Sequence, residues 1–147
     1  MKRLCLFFFC ILISVSVSVF AKDKDMKIKI NITSDSGNHT LTATLSDNSS
    51  AKAFYAELQK NPITVKMHDY GSFEKVGTLP KSFPRNDTQI TTTAGDIILY
   101  QGNQITIYYD VNTWNFTKLG KINGISQNEL KSILGKGNIT AKFSIGD

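Results

Sequence analysis

The sequence predicts a mainly β domain, a barrel or a sandwich of about eight strands with two short helices. Within Gly95–Asp110, two apolar runs, Ile97–Tyr100 and Ile105–Tyr109, are joined by a turn at Gly102-Asn103. Both turn residues tolerate the positive φ of a tight hairpin. Each run is apolar at almost every position, which is typical of strands buried on both faces. The rest of the domain consists of short alternating segments separated by turn residues, with two stretches of helical spacing.

The first part of the chain predicts a hairpin followed by a helix. Met26–Ile32 alternates apolar residues with polar ones, and its lysines indicate an edge strand. A turn at Asp35–Asn38 leads to a second strand, His39–Leu45. A helix is predicted from about Ser49 to Lys60, with Ser49 or Asn48 as the residue that caps its start. Asn61-Pro62 ends it, because a residue before proline leaves the helical region. Its inward stripe has the spacing i, i+3, i+4, i+7: Ala51, Phe54, Tyr55 and Leu58.

The remaining elements follow from the same signals. A capping box, Ser126–Glu129, predicts the start of a second short helix that ends at Gly135. Pro80–Thr93 is predicted to be a long loop with short extended pieces. The other predicted strands are Ile63–Met67, Phe73–Leu79, Val111–Leu119 and Asn138–Ile145.

The N-terminus predicts export. Lys2 and Arg3 precede the apolar run Leu4–Phe20, which ends at Ala21 before a charged segment. This pattern is typical of a secretory signal peptide over residues 1–21, cleaved after Ala21, and it leaves a domain of residues 22–147 for the periplasm or the medium. An uncleaved membrane anchor is the alternative, since the run is about as long as the shortest spanning helices. Cys10 follows three phenylalanines rather than small residues, so a lipid anchor is not expected.

Charge and composition disfavour several classes of function. The chain carries 17 Lys and Arg against 12 Asp and Glu, scattered without a basic run, so nucleic acid is not an expected partner. Residues 22–147 contain two histidines and no cysteine, and no metal site or cofactor is predicted. His68 and Asp69 are neighbours on a predicted strand, so their side chains point to opposite faces and do not form a catalytic pair. Hydrolase and metalloenzyme chemistry are therefore disfavoured.

Arg85 is the charged residue with two interpretations. It lies in Phe83-Pro84-Arg85-Asn86-Asp87, between apolar strands. It is either a loop arginine paired with Asp87 and worth little, or a rim arginine that presents its guanidinium to a ligand carbonyl or carboxylate. Tyr100 and Trp114 are similarly open to two interpretations, as core residues or as a ligand platform.

Several short motifs between Phe83 and Ile122 resemble the cyclophilin family. Phe83-x-Arg85 and Gly95-Asp96-Ile97 are similar to the family's Phe-His-Arg and Gly-Asp-Phe at the same spacing. Gly102–Ile107 resembles Gly-Ser-Gln-Phe-Phe-Ile, and Trp114 then follows at the family's distance of seven residues. Leu119–Ile122 resembles Phe-Gly-Lys-Val. The similarity is closest to compact bacterial cyclophilin-like domains of mostly unassigned function, and it implies an eight-stranded barrel closed by two helices.

The resemblance also implies a site on the barrel. Cyclophilins isomerise X–Pro bonds with an arginine that hydrogen-bonds to the prolyl nitrogen, and Arg85 would be that catalytic residue. This sequence has Ile90, Thr93 and Thr106 where the family has phenylalanine, glutamine and phenylalanine. We therefore expect a non-enzymatic module that binds a small molecule or an extended peptide; a weak prolyl isomerase of exported proteins and a purely structural domain without a pocket near Arg85 are the alternatives. The expected groove residues are Phe83, Arg85, Ile90, Tyr100, Gln104, Thr106 and Trp114.

Overall fold

A computed structural model describes residues 24–146, so the predicted signal peptide, residues 1–21, lies outside the described part. Within residues 24–146 the chain forms nine strands and two helices. In chain order they are β1 (Lys27–Ser34), β2 (Gly37–Leu45), α1 (Ser49–Lys60), β3 (Ile63–Tyr70), β4 (Glu74–Thr78), β5 (Thr88–Thr91), β6 (Asp96–Tyr100), β7 (Gln104–Tyr108), β8 (Thr113–Ile122), α2 (Gln127–Leu134) and β9 (Ile139–Ile145).

Eight of the strands close into an antiparallel barrel in the order β2-β1-β9-β3-β4-β7-β6-β8. Closure comes from β2 and β8, where Ala43 pairs with Ile122 and Leu45 with Gly120. The short β5 pairs with the first half of β8 and forms a ninth strand beside the barrel. The predicted mainly β barrel with two helices is confirmed.

The prediction that the first strand is an edge strand is wrong. β1 pairs with β2 on one side and with β9 on the other. Its apolar and polar residues alternate because the strand forms part of the barrel wall. Ile28, Ile30 and Ile32 are buried inside the barrel, and the exposed Lys27 lies on the outer surface. A closed barrel lets a strand have a polar outer face without a free edge.

The central hairpin is confirmed, with a different turn from the one expected. Tyr100 pairs with Gln104, which leaves a three-residue loop of Gln101, Gly102 and Asn103. Gln101 and Gly102 have positive φ values of 52° and 78°, whereas Asn103 does not. Glycine fits the second position because a Cβ there would lie 3.3 Å from the Phe83 carbonyl oxygen.

Both helices begin where their capping residues predict. The Asn48 side chain accepts a hydrogen bond from the Ala51 amide at 2.8 Å at the start of α1. The Ser126 hydroxyl accepts one from the Glu129 amide at 3.2 Å at the start of α2. Each cap satisfies an amide that has no partner within its helix. No helix within residues 24–146 has the length and apolar character needed to cross a membrane.

The hairpin β6–β7 is buried on both faces, as its composition predicts. Ile97 and Leu99 point into the barrel and join its main core. Ile98 points outward and forms a second cluster with Tyr108 and Phe116. The barrel wall at β6, β7 and β8 is therefore apolar on its outer surface too, which places an apolar floor on the outside of the barrel.

A buried lysine holds the end of α2. Lys75 lies on the interior side of β4, opposite Ile107, and its side chain is fully buried. Its Nζ is 2.9 Å from an Asp69 carboxylate oxygen and donates to the carbonyl oxygens of Gly135 and Gly137 at 3.2 and 2.6 Å. Carbonyls at a helix end have no partner within the helix. Lys75 therefore links the end of α2 to β3 and β4.

Candidate functional site

A groove with a volume of about 430 Å³ lies on the outer surface of the barrel, above the second apolar cluster. We call it the outer groove. Mostly aromatic and polar side chains from five barrel strands and two adjoining segments line it: His68, Tyr70, Phe73, Glu74, Val76, Tyr100, Gln104, Tyr108, Asn112, Trp114 and Phe116.

Strand alternation places these side chains on one surface. Successive residues of a strand point to opposite faces, so positions two apart share a face. β7 contributes Gln104 and Tyr108 to the groove, while Ile105 and Ile107 between them belong to the barrel core. The same alternation holds on β3 for His68 and Tyr70, on β4 for Glu74 and Val76, and on β8 for Trp114 and Phe116.

The aromatic rings form a continuous chain. Phe73 stacks on Tyr108 with a centroid distance of 5.8 Å and an interplanar angle of 3°. Tyr108 contacts Phe116 at 5.6 Å, and Phe116 meets Tyr100 edge-on at 6.1 Å. Tyr70 extends the chain beyond Phe73 at 6.1 Å. Such pairs add about 0.5–1.5 kcal/mol each to the burial of the rings, so the floor of the groove is largely preformed.

The rim of the groove exposes unusually large apolar side chains. Tyr70 and Trp114 are 62% and 61% exposed. The third large apolar residue with comparable exposure among residues 24–146 is Val111, which does not line the groove. Isolated exposed apolar residues are ordinary, whereas two that border one aromatic groove are typical of a binding surface.

Glu74 is the charged group of the groove. It is only 6% exposed, and its Oε2 atom is buried without a hydrogen-bond partner. Burial raises the pKa of its carboxyl, and the Tyr108 hydroxyl and the charge of His68 offset only part of that rise. Burial and the adjacent Glu74 also raise the pKa of Tyr108 well above its usual value, and Asn112 donates to the Tyr108 hydroxyl at 3.3 Å. The Tyr108 hydroxyl and the Glu74 carboxyl therefore influence each other's protonation on the floor of the groove.

The structure brings part of the predicted site together. Tyr100, Gln104 and Trp114 line the outer groove. Ile90 pairs with Trp114 across β5 and β8 and packs on the second apolar cluster. Thr106 is buried in the wall below the groove, on the same face of β7 as Gln104.

The other two predicted groove residues lie elsewhere. Phe83 belongs to the barrel core, where it packs edge-on against Phe54 at 5.6 Å. Arg85 does not line the groove, and its Nε donates to an Asp87 carboxylate oxygen at 2.9 Å. Asp87 is held in turn by the Thr117 hydroxyl. Of the two interpretations of Arg85, its contacts match the loop arginine paired with Asp87.

Glu74 and Tyr108, at the centre of the groove, are not among the site residues predicted from the sequence. Glu74 lies in a predicted strand, but Lys75 follows it, and the sequence alone does not show which of the two faces outward. Tyr108 lies in a run that predicts a strand buried on both faces, and such a pattern does not indicate that its hydroxyl belongs to a site on the outer surface. The signal that was available is His68, a polar residue next to the core residue Met67 on a predicted strand.

A second and larger depression, of about 790 Å³, lies between α2 and the turn after β1. Two of its charged groups, Asp69 and Lys131, already have protein partners. Asp69 receives hydrogen bonds from Lys75 and from the Tyr109 hydroxyl, and burial together with this bond raises the pKa of Tyr109 to about 12. Lys131 pairs with Asp110 at 3.0 Å. These contacts account structurally for Asp69, Tyr109 and Lys131, whereas Glu74 in the outer groove has an unpartnered oxygen, so the outer groove is the better candidate despite its smaller volume.

His68 and Asp69 illustrate the separation of the two surfaces. His68 lines the outer groove and Asp69 the second depression, so these neighbours point to opposite faces, as predicted. Within residues 24–146, no three His, Cys, Asp or Glu residues lie close enough together to hold a metal ion.

The fold and the groove together define a class of protein: a closed antiparallel barrel of eight strands with two helices and an aromatic groove on its outer surface. A family profile described as the cyclophilin-like family matches residues 34–144. The chain therefore belongs to the cyclophilin-like family, as the motifs between Phe83 and Ile122 indicated.

One solved structure supports the same fold. The chain is similar to the solution structure of a hypothetical protein from Archaeoglobus fulgidus, with a TM-score of 0.57 and 12% sequence identity over 85% of this chain and 99% of that one. At that identity the likeness shows the fold alone. No curated protein matches the chain.

Proposed function

We propose that this protein is an exported binding module that holds a small molecule or an extended peptide in the outer groove. The observation that carries the proposal is the position of Glu74, a buried carboxyl with an unpartnered oxygen on the floor of a groove whose rim exposes Tyr70 and Trp114. A buried carboxyl with an unpartnered oxygen lowers the free energy of unfolding, and such groups occur mainly at functional sites.

The dimensions and chemistry of the groove support binding. A volume of about 430 Å³ falls within the range of about 300–1,000 Å³ typical of small-molecule sites. Such sites combine mainly apolar walls with a few convergent polar groups. Here the walls are the aromatic chain from Tyr70 to Tyr100, and the polar groups are Glu74, Tyr108 and Gln104.

The prolyl-isomerase alternative gains little from the geometry. It requires an arginine aimed at the prolyl nitrogen, and the Arg85 guanidinium is engaged by Asp87 outside the groove lining. Binding without isomerisation is therefore the favoured proposal. Export rests on the signal-peptide pattern of residues 1–21, and N-terminal sequencing of the secreted protein tests it by the presence of Lys22 as the first residue.

NMR titration of the purified protein tests the binding proposal. Trp114 is the single tryptophan of the chain, so its indole N–H gives one isolated signal at the groove rim. Small aromatic compounds and short extended peptides are expected to shift this signal together with amides of β4 and β7. Trp114→Ala should abolish those shifts on the two strands.

Val111→Ala provides the matched control, because Val111 is 60% exposed and does not line the groove. Its titrations should match the wild type. Shifts that map to the depression near α2, or a Trp114→Ala variant that binds as tightly as the wild type, would rule out the outer groove as the site.

A further inference from the structure

The carboxylate in the outer groove has no permanently charged counterpart among the described residues that line it; His68 is the one titratable basic group there. Among the described residues that line the groove, Glu74 is the one carboxylate, and no lysine or arginine accompanies it. Its neighbour Lys75 faces the barrel interior, where Asp69 and two backbone carbonyls satisfy it. A buried carboxylate with a free oxygen is stabilised by any positive group brought to it.

The aromatic rings favour the same sign of charge. The face of a Trp, Tyr or Phe ring is electrically negative and attracts cations placed within about 6 Å of its centre. Trp114, Tyr70 and Tyr100 line the same groove as Glu74. Aromatic rings that surround the cation are the arrangement by which proteins recognise quaternary ammonium ligands, and a nearby carboxylate adds an attraction of the same sign.

We infer that the outer groove selects an organic cation, an ammonium group carried on an apolar body, with the positive charge beside Glu74 and the body against the aromatic rings. This inference rests on the proposed function of the same groove. A free amine and a lysine side chain within an extended peptide present the same chemistry to these residues.

A neutral ligand is the competing occupant. Burial raises the pKa of Glu74, and a protonated carboxyl would donate a hydrogen bond to a neutral carbonyl. The titratable groups that interact with Glu74 are His68 from β3, Tyr108 from β7 and the adjacent Tyr109. The two occupants predict opposite effects of pH, because a cation binds the ionised carboxylate and a neutral acceptor binds the protonated form.

Three probes that share a benzene ring test the inference by NMR titration of the purified protein. They are benzyltrimethylammonium, whose charge does not titrate, neutral benzyl alcohol and anionic phenylacetate. The cation is expected to bind about tenfold more tightly than the alcohol, and phenylacetate more weakly than either. Its affinity should rise from pH 5 to pH 8.

Glu74→Gln keeps the shape of the side chain and removes its charge. The variant should lower the affinity for the cation about tenfold and leave that for benzyl alcohol unchanged. It should also abolish the pH dependence. A pH dependence that persists in Glu74→Gln would assign it to His68 and overturn the inference, as would an affinity for the cation that falls with rising pH.

The outcomes separate the two proposals. Equal binding of all three probes, lost in Trp114→Ala, would keep the groove as a binding site and refute its selectivity for cations. Failure of every probe to shift the groove signals would refute both. A comparison of butylammonium with the peptide Ac-Ala-Lys-Ala-NH2 identifies the source of the cation. Tighter binding of the peptide would indicate a basic segment of a protein chain. Tighter binding of the amine would indicate a free metabolite.

Discussion

Replacing Glu74 by glutamine is expected to stabilise the free protein at neutral pH, although it removes the charge at the centre of the proposed site. The carboxyl is 6% exposed and its Oε2 atom has no hydrogen-bond partner. A buried polar group left without a partner costs about 1–3 kcal/mol, and more when it is charged. Glutamine fills the same space and still leaves one polar atom unpaired, so we expect a gain of about 1 kcal/mol.

The gain should depend on pH. The pKa of Glu74 is raised in the folded protein, chiefly by burial. Between the pKa of the unfolded chain, about 4.3, and the higher folded value, the folded state binds more protons. The stability that the protonated carboxyl contributes is therefore complete below the unfolded pKa and is lost as pH rises through the folded pKa. The glutamine variant lacks this loss, so its advantage should be near zero at pH 4 and should grow as the pH rises from 4 to 8.

Urea unfolding followed by circular dichroism measures the effect at both pH values. At pH 8 the midpoint should move to higher urea with an unchanged slope, and thermal unfolding should shift upward by about 4 °C for a domain of this size. A variant less stable than the wild type at pH 8, or a difference that is the same at pH 4, would show that Glu74 is satisfied in the free protein. Either result would contradict the inference that Glu74 Oε2 is unpartnered in the free protein.

Three further changes test other parts of the structure by the same unfolding measurements. Lys75→Met removes the donor that joins β3, β4 and the end of α2, and it should lower the free energy of unfolding by about 3–5 kcal/mol. A decrease below about 1 kcal/mol would mean that desolvation of the lysine cancels the stabilisation from its contacts. The pKa of Asp96 is lowered in the folded protein. Burial acts to raise it, but the hydrogen bond from the Thr93 amide and the two nearby lysines together have a larger effect. Wild-type stability from this group is thus lost as pH falls through the folded pKa, and Asp96→Asn should abolish that part of the acid sensitivity, whereas identical acid curves would contradict the pairing. Arg85→Ala removes an exposed pair with Asp87 worth about 0–1 kcal/mol and should leave ligand binding unchanged; prolyl-isomerase activity that disappears in this variant would instead establish Arg85 as catalytic.

The fold was accessible from the sequence because its signals are local. The helix Ser49–Lys60 was predicted with its observed bounds, since the apolar spacing, the cap at Asn48 and the proline after Asn61 act within a few residues of one another. The hairpin β6–β7 was predicted from its composition for the same reason. The exact turn was not, because Gln101 adopts a positive φ that its residue type does not favour.

The site depended on which residues the barrel brings together. Sequence motifs grouped Arg85 and Phe83 with Trp114, but the loop of residues 83–87 turns Phe83 into the core and pairs Arg85 with Asp87. Spacing along a chain does not specify which face of a loop meets a strand, so a motif locates a region without fixing its side chains.

The sequence by itself determined the barrel, its two helices and the aromatic character of the segment from Tyr100 to Trp114. Only the tertiary structure decided that Glu74 faces the outer groove while its neighbour Lys75 faces the interior. The physical reason is that two adjacent charged residues on a strand must point to opposite faces, and only closure of the barrel determines which of those faces is the inside. Asp69 and the end of α2 lie on the interior side and satisfy the lysine, which leaves the carboxylate without a partner on the outside.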